Sequence, residues 1–134
     1  MTPPKSSAGL PRVLVIDDEP LMCGMLARLM RRSYDITTTT DGREGLRLAV
    51  SEPWEAILCD VMMPDLSGAE FLKRLRVESE PLTHRVGFMT GGAFDPKTRE
   101  FLESLGRRGW LSKPFGHAEV QAFIESLRVP LVMG

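Results

Sequence analysis

Five short apolar or β-branched runs, separated by longer stretches with a helical period, restrict this chain to one kind of architecture. The first run is Val13-Leu14-Val15-Ile16, a continuous and largely β-branched segment typical of parallel strands that are covered on both faces. The others lie at 36–39, 56–59, 86–89 and around 110–111. We therefore predict an α/β fold in which strands and helices alternate through five βα units with right-handed crossovers.

Residues suited to helix starts and stops fill the intervals between these runs. The first helix is expected to begin at Pro20 and to end near Ser33. Asp41, Ser67 and Asp95 are suited to cap the next three helices, because their side chains can accept hydrogen bonds from unpaired backbone N–H groups. The last helix has an apolar face formed by Val120, Phe123, Ile124 and Leu127.

Length and local composition indicate one domain with short tails. The chain has 134 residues, which is within the common size range of a single compact domain. Residues 1–11 contain three prolines, two serines and a glycine with few apolar groups, so we expect a flexible tail or linker there. The folded domain is predicted to span 12–128, followed by a C-terminal tail at 129–134.

The charge balance argues against a nucleic-acid or membrane partner. Seventeen basic residues oppose eighteen acidic ones, so the net charge of -1 provides no overall field for a polyanion. No apolar run has the length of a membrane span, and we expect a cytoplasmic protein. Cys23 and Cys59 lack the paired spacing of metal or redox sites and are predicted to be buried, reduced thiols.

Polar residues end the apolar runs abruptly. Asp17 and Asp18 follow the first run, Asp60 follows the third, Thr90 follows the fourth and Lys113 follows the fifth. Each taken singly is most simply a helix cap or a solvated group. Since the carboxyl ends of parallel strands meet at one edge of the sheet, however, the chain gathers three carboxylates, a hydroxyl and an ammonium there.

This combination of groups favours phosphoryl chemistry at a metal ion. Three carboxylates repel one another unless a cation lies among them, and hard oxygen ligands with room for water suit Mg²⁺. Such an ion also neutralises a phosphoryl group during transfer, so that a carboxylate can act as the nucleophile. Lys113 would pair with the new phosphate, and the Thr90 hydroxyl would donate a hydrogen bond to it.

Four segments make the chain resemble the receiver domains of bacterial two-component systems over residues 12–128. They are V-I-D-D-E-P at 15–20, D-V-M-M-P-D-L-S-G at 60–68, M-T-G at 89–91 and K-P-F at 113–115. The resemblance implies a flavodoxin-like, doubly wound sheet of five parallel strands in the order 2-1-3-4-5. It also implies a phosphorylation-dependent switch rather than an enzyme, although such a domain assists its own phosphorylation and dephosphorylation.

By this resemblance, Asp60 is the phosphoacceptor and the metal ion is Mg²⁺. Asp18 and Asp60 bind the ion directly, Asp17 acts mostly through water, and the backbone carbonyl of Met62 completes the protein ligands. The predicted metal site therefore consists of four residues close to the ends of the first and third strands.

The resemblance also assigns residues to catalysis, switching and dephosphorylation. Thr90 and Lys113 assist phosphorylation, and Lys113 is followed by a cis peptide bond to proline. Thr90 and Trp110 form the switch, with Trp110 at a position where the family more often has tyrosine or phenylalanine. Met62 and Gly92 border the path by which water reaches the phosphorus, so they are expected to influence how long the phosphoryl group survives.

The partners implied by the resemblance are proteins that carry phosphate on histidine. A histidine kinase or a histidine phosphotransfer protein donates the phosphoryl group, and an output partner is expected on the face formed by helix four, strand five and helix five. Phosphorylation-dependent homodimers are also compatible with the family. The stretch F-M-T-G-G-A-F-D-P at 88–96 is similar to receivers fused behind sensor kinases, so a stand-alone regulator and a domain of a hybrid kinase both remain open.

Two other functions compete with this interpretation. A phosphatase of the haloacid-dehalogenase type needs a second acid two residues after its nucleophile, where this chain has Met62. A phosphorylation-independent adaptor would have a damaged site, whereas all the key residues are present. Among the remaining polar residues, Glu19 and Asp65 are interpreted as caps or solvated groups, with a supporting role for Glu19 left open, and His84 and His117 as surface residues.

Overall fold

The computed structural model describes residues 9–92, 95–106 and 109–128. Most of the predicted front tail and all of the predicted C-terminal tail at 129–134 lie outside these ranges. Pro11, at the end of the predicted front tail, is buried, and its carbonyl accepts a hydrogen bond of 2.9 Å from the backbone N–H of Asp35. Pro11 therefore contacts the sheet one residue before the first strand.

Strands and helices alternate along the chain. The strands are β1 (Arg12–Ile16), β2 (Asp35–Thr39), β3 (Ala56–Asp60), β4 (Val86–Thr90) and β5 (Leu111–Ser112). The helices are α1 (Pro20–Met30), α2 (Gly42–Ser51), α3 (Gly68–Glu78), α4 (Pro96–Glu103) and α5 (His117–Arg128), with a 3₁₀ helix at Glu80–Arg85. All strand pairs are parallel and the order is β2-β1-β3-β4-β5, which confirms the predicted fold class.

The predicted helix caps are confirmed in detail. Asp41 accepts hydrogen bonds from the backbone N–H groups of Arg43 and Glu44 at the start of α2. Ser67 and Asp95 do the same at the starts of α3 and α4. These side chains satisfy donors that a helix leaves unpaired in its first turn, so they define where the helices begin.

Two boundaries and one additional helix differ from the sequence-based expectation. The first helix ends at Met30 rather than near Ser33, because the carbonyl of Met30 accepts hydrogen bonds from the N–H groups of both Ser33 and Tyr34 and closes a turn. The fifth strand begins at Leu111, one residue after Trp110. The 3₁₀ helix before β4 was not predicted, since six residues are too few to show a clear hydrophobic period.

The sheet is covered on both faces, as the continuous apolar runs require. Val13 and Val15 belong to the core beneath α1 and α5, whereas Leu14 and Ile16 belong to the core beneath α2, α3 and α4. This alternation follows from the two-residue period of a strand. None of the helices in the described ranges combines the length and apolar character needed to span a bilayer.

Other buried residues also agree with the predictions. Cys23 and Cys59 are both buried and free, as predicted for structural thiols. Trp54 is buried ahead of β3, where its indole N–H donates a 2.9 Å hydrogen bond to the Leu48 carbonyl. The guanidinium of Arg12 lies 4.3 Å above the centre of the Trp54 ring, which stabilises the charge against the aromatic face.

Candidate functional site

Polar side chains collect where the carboxyl ends of β1, β3, β4 and β5 lie side by side. Asp17 directly follows β1, Asp60 is the last residue of β3, and Thr90 is the last residue of β4. All three are buried. The register pairs Asp60 with Met89, so Thr90 lies one step beyond Asp60 at the same edge. Lys113 follows β5 directly and completes the predicted set.

Lys113 connects the carboxylates of the site. Its ammonium donates a hydrogen bond to Asp17 Oδ2 at 2.8 Å. The same nitrogen lies 3.6 Å from Asp60 Oδ2 and 3.7 Å from Glu19 Oε1. One positive charge is thus shared among three carboxylates, with its strongest contact on the one that is completely buried, Asp17.

The backbone fixes Lys113 at this position. Its N–H donates a 2.8 Å hydrogen bond to the Thr90 carbonyl, which extends the pairing of β4 and β5. The peptide bond between Lys113 and Pro114 is cis, as the resemblance implied. The hydrogen bond holds the backbone of Lys113 beside Thr90 at the edge of the sheet.

Asp60 begins a loop at 60–67 whose first residues are held by hydrogen bonds. Asp60 Oδ1 accepts a hydrogen bond of 3.3 Å from the N–H of Met62. The N–H of Val61 donates to the Met89 carbonyl at 2.9 Å, and the N–H of Gly68 donates to the Val61 carbonyl at 2.9 Å. The loop therefore returns to β4 while the Met62 side chain remains 52% exposed.

The electrostatics of the site leave negative charge only partly compensated. Burial raises the pKa of the Asp60 carboxyl to about 6, and the Asp17 charge adds to this against the opposing effect of Lys113. For Lys113 burial disfavours the ammonium, but the hydrogen bond to Asp17 and the charges of Asp60 and Asp17 outweigh it and raise the pKa. An added cation would stabilise the ionised form of Asp60, which burial and then the charge of Asp17 disfavour.

The donor set fits a hard divalent ion. Carboxylate oxygens of Asp17, Glu19 and Asp60 all lie within 4.8 Å of one another. All three donors are carboxylate oxygens, which suits Mg²⁺ better than a metal that prefers sulfur or imidazole. The exposed position of Glu19 leaves one side of the set open to water, which Mg²⁺ usually retains.

The acidic set in the structure is not identical to the predicted one. Glu19, for which a supporting role was left open, lies among the converging carboxylates, whereas Asp18 is half-buried and lies outside that mutual cluster. The charge of Asp18 still contributes to the raised pKa of Asp60, so it is near the site. The backbone N–H of Glu19 donates a 3.0 Å hydrogen bond to Asp17 Oδ1, so the two residues lie in one tight turn directly after β1.

The remaining predicted residues occupy the surroundings of the site. Trp110 is half-buried and packs against the core cluster that contains Phe88. Gly92 is exposed, and a Cβ atom added to it would meet no atom within 4 Å. His84 and His117 are exposed, in agreement with the prediction that both are surface residues.

Comparisons with known proteins agree with this geometry. The family model described as "Response regulator receiver domain" matches residues 13–125. Among curated proteins, the alkaline phosphatase synthesis transcriptional regulatory protein PhoP of Bacillus subtilis is 34% identical over 121 residues, which cover 87% of this chain and 48% of the relative. The sensor histidine kinase TmoS of Ectopseudomonas mendocina is 29% identical, over 92% of this chain and 13% of the kinase.

A solved structure gives the same result. The receiver domain of a sensor histidine kinase from Pseudomonas aeruginosa PAO1 is 26% identical and superposes with a TM-score of 0.73, covering 89% of this chain and 98% of that domain. That structure has a magnesium ion coordinated in its active-site cleft. The chain spans about half the length or less of the curated relatives described above, so it is similar to one domain of each.

Proposed function

The chain belongs to the response regulator receiver domain family, and from that premise we propose that Asp60 is the residue that accepts the phosphoryl group. Accepting phosphate on an aspartate is the general function of this family, whose members act as signalling switches rather than as classical enzymes. The observation that carries the assignment is the position of Asp60, with one oxygen held by the Met62 N–H and the other 3.6 Å from the Lys113 ammonium.

In this proposal a carboxylate oxygen of Asp60 attacks phosphorus while the bond between phosphorus and the donor's leaving atom breaks. Lys113 pairs with an oxygen of the transferred group, and the Thr90 hydroxyl donates a hydrogen bond to another. Asp17 supports the reaction indirectly, because its 2.8 Å hydrogen bond holds the Lys113 ammonium over the strand ends. Most of the catalytic effect is therefore positioning and charge stabilisation by groups that are already in place.

Receiver domains of this family bind Mg²⁺ at an acidic pocket. For this chain we propose that Asp17, Asp18, Asp60 and the Met62 carbonyl hold the ion, with Glu19 close enough to orient a bound water. When bound, Mg²⁺ neutralises the oxygens of the incoming phosphoryl group. The three converging carboxylates of Asp17, Glu19 and Asp60 support this assignment, as does the raised pKa of Asp60.

We infer that the phosphoryl donor is the phosphohistidine of a histidine kinase or phosphotransfer protein. The likeness to a sensor kinase over 92% of this chain supports that class of partner. The output face would be formed by α4, β5 and α5, where Trp110 directly precedes β5. A phosphorylation-dependent homodimer would use the same face. We also infer a cytoplasmic location, in keeping with the two buried free thiols.

The assignment of Asp60 is tested by labelling with acetyl phosphate in the presence of magnesium. The parent protein should gain one phosphoryl group by intact mass, and Asp60→Asn should gain none. Asp95→Asn is the matched control, because Asp95 is an exposed helix cap outside the site and its variant should label normally. Undiminished labelling of Asp60→Asn would reject the assignment, and an unlabelled parent would favour the adaptor function.

The switch role of Trp110 is tested by fluorescence. Addition of beryllium fluoride with magnesium should change the emission of Trp110, since its half-buried ring packs against the core cluster next to β4. The measurement is made in a Trp54→Phe background, which removes the second indole of the chain. An emission spectrum that does not respond to the phosphoryl mimic would show that Trp110 does not report the switch.

A further inference from the structure

We infer that Asp65 is a positioning residue, which fixes the loop at 60–67 by capping the start of the neighbouring helix α2. The inference rests on the proposed function, because the same loop contains Asp60 and the Met62 carbonyl that are proposed to bind Mg²⁺. Asp65 itself is exposed and lies outside the cluster of carboxylates that converge on Lys113. Its effect on the metal would therefore be exerted through the conformation of the loop.

The hydrogen bonds of Asp65 connect two segments that are distant in sequence. Asp65 Oδ1 accepts a hydrogen bond of 3.3 Å from the N–H of Gly42, and Oδ2 accepts one of 3.0 Å from the N–H of Arg43. Both donors belong to the first turn of α2, where backbone N–H groups have no partner within the helix. A carboxylate at this position is also favoured by the helix dipole.

The helix does not need Asp65 in order to be capped. Asp41 already accepts hydrogen bonds from Arg43 at 2.9 Å and Glu44 at 3.2 Å, as the ordinary capping residue of α2. Asp65 adds a second carboxylate from another segment of the chain. Since Asp41 already caps the helix, the distinct contribution of Asp65 is to connect the loop to the helix.

Close packing at Gly42 shows how tightly the loop lies on the helix. A Cβ atom at Gly42 would come within 3.0 Å of Asp65 Oδ1, 3.0 Å of the Leu66 Cβ and 3.1 Å of the Met63 Cε. Met63 and Leu66 are buried. The second half of the loop is therefore anchored by packing and by hydrogen bonds to α2, while the first half presents the Met62 backbone to the site.

The two ends of the loop depend on different contacts. Near the phosphoacceptor, the Met62 N–H is bonded to Asp60 Oδ1. Three residues later, Asp65 fixes the path of the chain against α2. A free carbonyl on a mobile loop would have to lose conformational entropy when it binds an ion, so prior ordering by Asp65 should increase the affinity for Mg²⁺.

The test compares Asp65→Ala with Asp41→Ala, which removes the other capping carboxylate of the same helix. Magnesium affinity is measured by isothermal titration calorimetry. Asp65→Ala should weaken it about tenfold, the lower end of the effect of residues that orient metal ligands. Asp41→Ala should lower the stability of α2 and leave the affinity within about twofold of the parent. Asp65→Asn should be intermediate, because an amide offers one acceptor oxygen where the carboxylate uses two.

A second measurement uses amide hydrogen exchange of the metal-free protein. Asp65→Ala should accelerate exchange in the peptide covering 60–67, whereas Asp41→Ala should accelerate exchange only at the start of α2. If Asp65→Ala does not fold, Asp65→Asn provides both comparisons, since its amide keeps one acceptor oxygen and should give the same two effects at smaller size.

The outcomes separate this inference from the proposed function. If Asp65→Ala and Asp41→Ala have equal effects on magnesium affinity and on amide exchange, Asp65 is an ordinary helix cap and the inference is wrong. Unchanged magnesium affinity in Asp65→Ala would also overturn its positioning role. Failure of the parent protein to bind Mg²⁺ would instead overturn the proposed metal site, and the exchange data in metal-free protein would still decide whether Asp65 orders the loop.

Discussion

Buried charges lie at both ends of the parallel strands, but they are balanced differently at each end. At the carboxyl ends of the strands, here called the carboxyl edge, Asp17, Glu19 and Asp60 share the single ammonium of Lys113. The opposite ends of the strands are called the amino edge. At the amino edge, Glu55 is buried directly before β3 and lies close to two guanidinium groups of Arg85 and Arg128. One edge therefore has an excess of negative charge, and the other has charges that are matched.

The amino edge satisfies its charges with several hydrogen bonds. Arg85 donates to the Glu55 carbonyl at 3.1 Å and to its carboxylate at 3.2 Å. Arg128 pairs with Glu125 at 2.8 Å, and the Tyr34 hydroxyl also donates to Glu125. These two hydrogen bonds lower the pKa of Glu125 even though burial opposes the shift. The pKa of Tyr34 is raised mainly by burial and, to a smaller extent, by the hydrogen bond to Glu125 and its charge.

The two edges differ in how far their buried charges are paired within the chain. At the amino edge each carboxylate has its own cation, since Glu55 pairs with Arg85 and Glu125 pairs with Arg128, although Arg128 Nε is buried without a hydrogen-bond partner. The carboxyl edge instead keeps the pKa of Asp60 raised to about 6, which means that the folded state resists its ionisation. Uncompensated charge of this kind is typical of functional sites, where a ligand supplies the missing counter-charge. Four predictions test the contrast, from the largest expected effect to the smallest.

The largest effect is expected at the amino edge. Glu55→Ala removes the carboxylate that contacts both Arg85 and Arg128. It should lower the free energy of unfolding by about 2–3 kcal/mol, because the partly buried Arg85 loses its carboxylate partner and Arg128 keeps only Glu125. Glu55→Gln should cost less, since its amide oxygen still accepts a hydrogen bond. Urea denaturation measures both. Labelling of Asp60 by acetyl phosphate should be unchanged, and a loss of labelling would show that the two edges are coupled.

At the carboxyl edge, removing a charge should have the opposite sign. Asp60→Asn should stabilise the metal-free protein by about 1–3 kcal/mol at pH 7.5, since each pKa unit corresponds to about 1.4 kcal/mol. The pKa of Asp60 is raised from 3.8 to about 6, so the folded parent binds more protons than the unfolded chain between these values. The parent should therefore lose stability relative to the variant as the pH rises through that window.

Denaturation of both proteins in EDTA, at several pH values from 4 to 8, measures this difference. The difference should decline as the pH falls from 6 to 4, because the carboxyl becomes protonated in the folded state and then partly protonated in the unfolded chain. It should also shrink at pH 7.5 when Mg²⁺ is added to the parent. A variant less stable than the parent throughout would mean that ionised Asp60 is well compensated, and the contrast between the edges would fail.

A smaller effect at the amino edge is expected from Tyr34→Phe. The substitution removes the hydroxyl that donates to Glu125 and leaves the pair between Glu125 and Arg128 in place. The free energy of unfolding should fall by about 1 kcal/mol, the usual value for one hydrogen bond. Thermal and urea denaturation check this value, with the labelling rate as the internal control. A destabilisation as large as that of Glu55→Ala would mean that the network depends on the hydroxyl more than on the ion pairs.

The smallest effect concerns water at the open side of the phosphorylated site. Met62 is exposed and Gly92 has free space around it, so neither is suited to orient an attacking water. Met62→Asn together with Gly92→Glu should accelerate loss of the phosphoryl group a few-fold, which corresponds to about 1 kcal/mol or less in the barrier. First-order decay of the phosphorylated proteins in magnesium is the measurement. Equal decay rates, with unchanged magnesium affinity, would show that these two positions do not set the lifetime.

The sequence was sufficient to predict the residues that end the strands. Asp17, Asp60, Thr90 and Lys113 each interrupt an apolar run, and parallel topology brings such interruptions to one edge. Helix starts at Asp41, Ser67 and Asp95 were equally predictable. A helix cap depends on contacts within about three residues, so it can be recognised without knowing the rest of the fold.

Interactions between distant segments were not predictable in the same way. Asp65 looked like a local cap, yet it bonds to Gly42 and Arg43, more than twenty residues earlier. Tyr34 and Glu125 lie 91 residues apart and gave no sign of their hydrogen bond. Such contacts depend on where one loop or helix is packed against another, which residue spacing alone does not contain.

By itself, the sequence determined the order of strands and helices, the edge at which the polar residues collect and the kind of chemistry they favour. These features follow from local periodicity and from the regular geometry of parallel sheets. Only the tertiary structure decided that Glu19 joins Asp17 and Asp60, that Asp65 holds the loop against α2, and that the charges of the opposite edge are matched. These depend on distances of a few ångströms between separate segments, because electrostatic and hydrogen-bond energies change steeply over that range.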